Sequence, residues 1–418
     1  MKILAQKLDK YLLVPFFLFA FFLPFHLPAS NIFLALSIII IFYKVDTDFF
    51  FNTNFFLTST SILFVAYLIG VIYSENVNKG LIFLGRISTF LIIPLALGFR
   101  SKLNIKKIQN TLLLGLTIGL ILTCLYLLLN VLFNYTKSGD FTLRALFSYR
   151  YTTQKFVLPL HDSHPTYLGF YILTNSAMLE FSNFKLKKRL KTVFYIVTII
   201  SLIFLNSRVI FISGLIYFIF YFFIKLKNKR QKIVFFVSLV TAVIGTIYLL
   251  KDTYFVKKWE RGVVWDLSKN IGNSNTTKKL ISDSRMARWQ VALSEILKEP
   301  IFGHGTGSEI LTLKRGYLEN NLIFSYEKKY NAHNQYLNYL IELGIFGLSV
   351  FMFFLIFNCY EAIKPSCYKQ LLLIIFIICI SMTENLLVRN MGITFFAMFF
   401  NINKAVIYNE KRPYISKT

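Results

Sequence analysis

Apolar residues in this chain come in runs of roughly 16–24 positions, separated by short polar and basic segments. Wound as helix at ~1.5 Å per residue, such a run matches the ~30 Å hydrocarbon layer of a bilayer. Lipid offers no partner for a bare backbone, so spanning segments must be helices or a closed barrel. The runs are continuous rather than alternating. The pattern therefore predicts an all-α polytopic membrane protein with about twelve transmembrane helices. Their expected limits are 11–27, 29–43, 55–73, 80–99, 110–133, 164–181, 192–206, 209–224, 233–250, 334–357, 370–384 and 391–407. The seventh and eighth read equally as one broken pair hinged at Asn206-Ser207-Arg208.

Two polar stretches interrupt the pattern, 134–163 and 251–333. The second is too long for a turn, and loops of that length usually carry function. It also has helical order of its own. Met286, Trp289, Leu293, Ile296 and Leu297 recur at helical spacing and predict one buried face over 284–297. Asp283 or Ser284 is placed to cap its start, and Pro300 with Gly303 to end it. The expected organisation is an N-terminal bundle of about nine helices (1–250), a large, partly helical external loop (251–333) and C-terminal spans (334–418).

Composition agrees with the pattern. Hydrophobic residues make up 56% of the 418 positions, above the roughly 45–50% of soluble domains. Lys and Arg number 46 against 20 Asp and Glu, for a net charge of +26. A charge of that size first suggests nucleic acid. The cations lie mainly between the apolar runs, however, which is the topology signal of a membrane protein. The expected partner is a lipid bilayer and not nucleic acid. Segments 100–107, 185–191 and 225–232 hold many of them, which predicts N- and C-termini inside and 251–333 outside. The basic start, 1–10, runs into the first span with no small-residue cleavage site, so that span is expected to stay uncleaved. Cys124, Cys359, Cys367 and Cys379 show no CxxC spacing, which argues against a disulfide or zinc framework.

The candidate chemistry gathers at the outer ends of these runs. His333 falls where the large loop re-enters the membrane; it is either a general base for a hydroxyl or an anchor of the helix start. Arg285 lies in the first turn of the loop helix, where free N–H groups favour an anion. Guanidinium matches phosphate oxygens in a two-pronged way, so the turn is either a phosphate site or a solvated surface. Arg288, one turn on, is a second candidate. Arg208 sits between two runs, and Arg86 inside the fourth, where a charge marks a cavity or snorkels to the surface. Glu384 and Arg389 add outer-edge charges, and either could orient His333 or pair with an arginine. The segment His161-Asp162-Ser163-His164-Pro165 enters the sixth run, and a metal held by its histidines would want a third ligand that cannot be named, so no metal is expected there. Gly303, Gly305 and Gly307 flank His304 without the Lys-Ser/Thr of a phosphate loop and read as turns that leave its imidazole poorly fixed.

Several of these residues also carry a family resemblance. Arg285-Met286-Ala287-Arg288-Trp289, ending in Pro300-Ile301-Phe302-Gly303-His304-Gly305-Thr306-Gly307, resembles the signature of the O-antigen ligase and polymerase superfamily. His333-Asn334, followed after nine residues by Gly344 and after two more by Gly347, is similar to its ligase motif. Asn206-Ser207-Arg208 and His164-Pro165-Thr166-Tyr167-Leu168 resemble further family segments, and the likeness is specific over about 200–347. The resemblance implies a membrane glycosyltransferase C class fold in the bacterial inner membrane, with the loop periplasmic. It implies an undecaprenyl-diphosphate-linked glycan donor, transfer without metal or cofactor, and an acceptor that is either lipid A core or a second lipid-linked glycan. Carried over, Arg208 and Arg285 would bind diphosphate and His333 would be the base. Asn334 and His164 stand beside them within the matching segments. His304 departs from the family, which often has an apolar residue there, and its role stays open. A transporter of a small anion or glycolipid is the alternative. It would bury its charges near the midplane, whereas these collect at the outer edge.

Overall fold

The computed structural model describes residues 11–45, 51–99, 102–160, 163–269, 271–272 and 283–411. Among them the regular elements are all helices, and an isolated bridge joins Phe51 and Phe99. It divides into two compact units. The first comprises Met1–Phe19, Pro28–Leu112 and Trp265–Thr418; the second comprises Ala20–Leu27 and Leu113–Val264.

By length and composition, four helices among the described residues could cross a membrane: Ile105–Ser138, Lys229–Leu250, Gln335–Ile363 and Asn390–Asn409. A fifth is formed if the bent pair Val77–Arg86 and Thr89–Gly98 counts as one span. Other predicted runs hold shorter apolar helices, among them Leu27–Tyr43, Ser61–Ile72, Arg208–Ile224 and Tyr368–Ser381. This criterion falls short of the predicted twelve because turns cut several runs. The run 55–73, for example, becomes Thr53–Leu57 and Ser61–Ile72, the first capped by Asn52.

Two breaks matter for function. The predicted fourth span bends by 44° between Val77–Arg86 and Thr89–Gly98. Arg86 therefore ends a helix at a kink instead of lying inside a continuous span. The predicted tenth span is broken at Gly344, with φ 61° and ψ −158°, a region essentially restricted to glycine. Tyr339 then stacks on Phe351 at 4.5 Å, although a straight helix would set these residues ~18 Å apart. The stretch 335–343 is thus folded back on 345–363, which alone is about 28 Å long. A Cβ at Gly344 would collide with the Ile301 carbonyl, and one at Gly347 with the Leu343 side chain. Gly344→Ala is expected to lower the yield of folded protein in detergent sharply, because strain of about 1–3 kcal/mol adds to the collision. A wild-type elution profile and melting temperature for this variant would contradict the fold-back.

The loop helix Arg285–Lys298 is capped by Ser284, whose Oγ accepts from the Ala287 N–H at 3.2 Å. Asp283, the other cap candidate, instead accepts from the Ser325 N–H and hydroxyl at 2.9 and 2.6 Å. The buried face also differs from the predicted one. Ala287, Val291, Ala292 and Ile296 pack with Leu313, Tyr317, Leu322 and Ile341, while Leu293 and Leu297 stay exposed. The helix Glu309–Glu319 and the start of Gln335–Ile363 pack on the face that carries the small side chains, which spacing along one helix does not reveal.

Candidate functional site

His333 takes the left-handed backbone conformation, φ 47°, which costs a non-glycine residue free energy unless its surroundings impose it. Three consecutive N–H groups are tied to side chains. Ala332 donates to Glu309 Oε1 at 3.1 Å, His333 to Asn331 Oδ1 at 3.2 Å, and Asn334 to Asn385 Oδ1 at 2.7 Å. The Asn385 amide in turn donates to both oxygens of buried Glu309, at 2.9 and 3.1 Å. Asn334 caps the helix that follows, accepting from the N–H groups of Tyr336 and Leu337. Rigidity at His333 therefore comes from this cross-linked knot, not from a straight span beneath it. Burial pushes the Glu309 carboxyl above its ordinary value, against the N–H donors of Ala332, Asn385 and Asn338.

The half-buried His333 ring lies with Nδ1 3.3 Å from Glu384 Oε2 and packs edge-on against Tyr330. The carboxylate accepts from Nδ1–H, a tautomer inferred from the partner. That leaves Nε2 as the basic nitrogen, and it has no hydrogen-bond partner among the described residues. Arg86 reaches the same segment by donating from Nη1 to the Val388 carbonyl at 3.3 Å. Here Arg86 braces the stretch that carries Glu384 and Asn385.

Arg288 also packs on Tyr330, its guanidinium carbon 5.0 Å from the ring centre. Arg288 is buried, and its Nε and Nη1 find no hydrogen-bond partner among the described residues. Burial pulls its guanidinium below the ordinary value. Tyr317, Tyr330 and Asp266 oppose that shift, while the Arg285 charge one turn away adds to it. Arg285 opens the same helix, half-buried, with no hydrogen-bond or ion-pair partner among the described residues. Two cations one turn apart repel, and an unpaired buried charge is costly. An anion beside these two arginines would offset both costs.

His304 is not the loose imidazole expected from its glycines. Gly303, Gly305 and Gly307 all have positive φ, and their bare backbones press on Glu342–Gly344, Ser74 and Lys79–Gly80. His304 is buried, with Nδ1 2.7 Å from Glu75 Oε1 and Nε2 3.2 Å from the Glu295 carbonyl. Both ring nitrogens are engaged by oxygen acceptors, so neither is free to serve as a base. Burial pushes the Glu75 carboxyl up, but His304 and Arg315 outweigh it and hold it below the usual carboxylate range. The stability this tie contributes is present above the unfolded carboxylate pKa and is lost as pH falls through the folded one.

In the second unit, Arg208 begins the helix Arg208–Ile224, half-buried beside Gly262 and Tyr254. The turn before it is fixed by Asn206, buried and left-handed at φ 43°. Trp259 Nε1 donates to Asn206 Oδ1 at 2.8 Å, and Lys258 Nζ donates to its carbonyl at 2.6 Å. His164 caps the helix Pro165–Phe181, its Nδ1 accepting from the Thr166 N–H at 3.4 Å. His161, weighed with it as a metal ligand, and Asp162 lie outside the described residues.

Sequence reasoning missed Glu309, Asn385, Tyr330 and Glu75. Tyr330 was within reach, three residues before His333. Glu309 and Asn385 are 76 residues apart, and no local pattern links them.

Residues 193–352 match the family model described as O-antigen ligase. No curated protein matches the chain. The matched stretch contains Arg208, Arg285, Arg288, His304, His333 and Asn334; Glu384 and Arg86 lie outside it.

Proposed function

We propose that this chain is a membrane glycosyltransferase of the O-antigen ligase or polymerase type. It moves a glycan from undecaprenyl diphosphate to an acceptor hydroxyl on the periplasmic face of the bacterial inner membrane. The observation that carries this reading is Arg288, buried with two guanidinium nitrogens unsatisfied among the described residues and joined through Tyr330 to His333, with the second cation of Arg285 one turn away. A glycosyl diphosphate needs both features: cations for the charge that grows on the leaving diphosphate, and a base for the incoming hydroxyl. His333 Nε2 takes the acceptor's proton as the acceptor oxygen bonds to the anomeric carbon. The bond from that carbon to the diphosphate oxygen breaks, and undecaprenyl diphosphate leaves carrying the charge. Attack opposite the leaving group inverts the anomeric centre. The donor is already activated, so transfer needs no nucleotide. Arg285 and Arg288 would hold the diphosphate, as would Arg208 by the family resemblance, while Glu384 orients the base.

Deleting the gene tests the class of reaction. Lipid-linked polymer that accumulates while long glycans vanish from the surface is the expected result for a ligase. Surface glycans cut to a single repeat are the expected result for a polymerase. An unchanged glycan profile would count against both.

A further inference from the structure

The loop helix that opens on Arg285 has one apolar edge that the protein does not cover. Leu293 is 50% exposed, Leu297 77%, Ile301 62% and Phe302 56%. They follow one another along the last turns of Arg285–Lys298 and the corner after it. Contiguous apolar surface of this kind marks an interface. Its continuation identifies the occupant. The Pro300 and Ile301 carbonyls accept from the Ile345 and Phe346 N–H groups, at 2.9 and 3.1 Å. Phe302 packs against Phe346 at 6.2 Å and against Tyr73 at 6.0 Å. The corner is therefore stapled to the point where the long helix leaves its Gly344 break. From there Ile345, Phe353 and Ile356 are more than half exposed along a helix apolar enough to span a membrane. The loop's apolar edge is one surface with that flank, whose solvent is lipid. The segments that follow differ: Glu319, Asn320, Asn321, Glu327, Lys328 and Lys329 are exposed and polar.

We propose that the helix Arg285–Lys298 and the Ile301–Phe302 corner are seated in the bilayer, with Leu293, Leu297, Ile301 and Phe302 buried at the boundary between headgroups and acyl chains. The loop is then not wholly external. It lies in the interface as an amphipathic helix does, apolar edge down and polar segments in water. Lys298, bridged to Glu295 and Glu319 at 2.7 and 3.4 Å, marks the water line along it. If the transferase reading holds, this seating keeps Arg285 and Arg288 at the depth of a lipid-linked diphosphate.

The test uses the unmodified full-length protein in phospholipid vesicles whose acyl chains carry a diazirine, with no glycan donor present. After illumination and tryptic digestion, adducts are expected on peptides 289–298 and 299–314, at levels comparable to those around Phe353 and Ile356. Peptide 316–328 is expected to stay blank. If 289–298 and 299–314 are as blank as 316–328, as they would be with a second copy of the chain seated on this edge, the proposal is overturned. No step of the assay depends on transfer, so failure of the transferase reading would not change its outcome.

Discussion

His333→Ala is expected to lower the rate of glycan transfer by about 10²–10⁴-fold, the usual loss when a general base is removed, with donor binding largely kept. The expectation rests on geometry. The three N–H groups of Ala332, His333 and Asn334 all donate to side-chain oxygens, so the backbone at φ 47° cannot relax. Glu384 fixes the tautomer and leaves Nε2 to take a proton. His333→Gln keeps a polar group but cannot accept and release the proton, so it is expected to be nearly as slow. His304→Ala separates this role from a structural one. Both His304 nitrogens are engaged by Glu75 and Glu295, so its loss is expected to reduce the amount of folded protein more than the turnover of what folds. Transfer should be assayed with purified protein and lipid-linked donor, normalised to folded enzyme. Normal turnover by His333→Ala, together with a well-folded and inactive His304→Ala, would move the base to His304.

Arg285→Ala is expected to slow transfer by at least about 10²–10³-fold, as when one donor to a developing negative charge is removed. Among the described residues Arg285 has no hydrogen-bond or ion-pair partner to lose, so the protein should remain folded in the membrane. Removing it also relieves repulsion on buried Arg288, which favours stability. Loss of activity without loss of stability would mark a ligand-binding residue. Arg285→Lys should recover activity only in part, because an ammonium lacks the planar fork that meets two phosphate oxygens. Arg208→Ala is expected to be equally slow on the strength of the family resemblance. Arg208 opens a helix in the same way, at a turn locked by Asn206, Lys258 and Trp259. Full activity of Arg285→Ala would remove that residue from the site and leave Arg288 as the anion's partner.

The amino-acid sequence by itself determined the helical, membrane-embedded character of this protein, because lipid leaves the polar backbone of an apolar run few ways to satisfy its N–H and C=O groups. It also showed the loop helix, since Ser284 and Pro300 mark its ends within a few residues. It singled out Arg285, Arg288 and His333, because charged and basic groups at the outer ends of apolar runs stand out in one dimension. Three features were decided only by the tertiary structure. Gly344 marks a ligase-like motif in the sequence but by hydropathy is one more small residue in an apolar run, yet its backbone conformation folds 335–343 back on 345–363. Hydropathy averages over such an angle. Leu293 and Leu297 share helical spacing with Ile296, but the neighbouring helices pack on Ala287, Val291 and Ala292 instead, turning the leucines outward. Periodicity identifies an apolar stripe without saying whether protein or lipid covers it. The knot of Glu309, Asn385 and Asn334 closes contacts across 76 and 51 residues of chain. Such pairings arise from packing, and neither partner carries a local mark of the other.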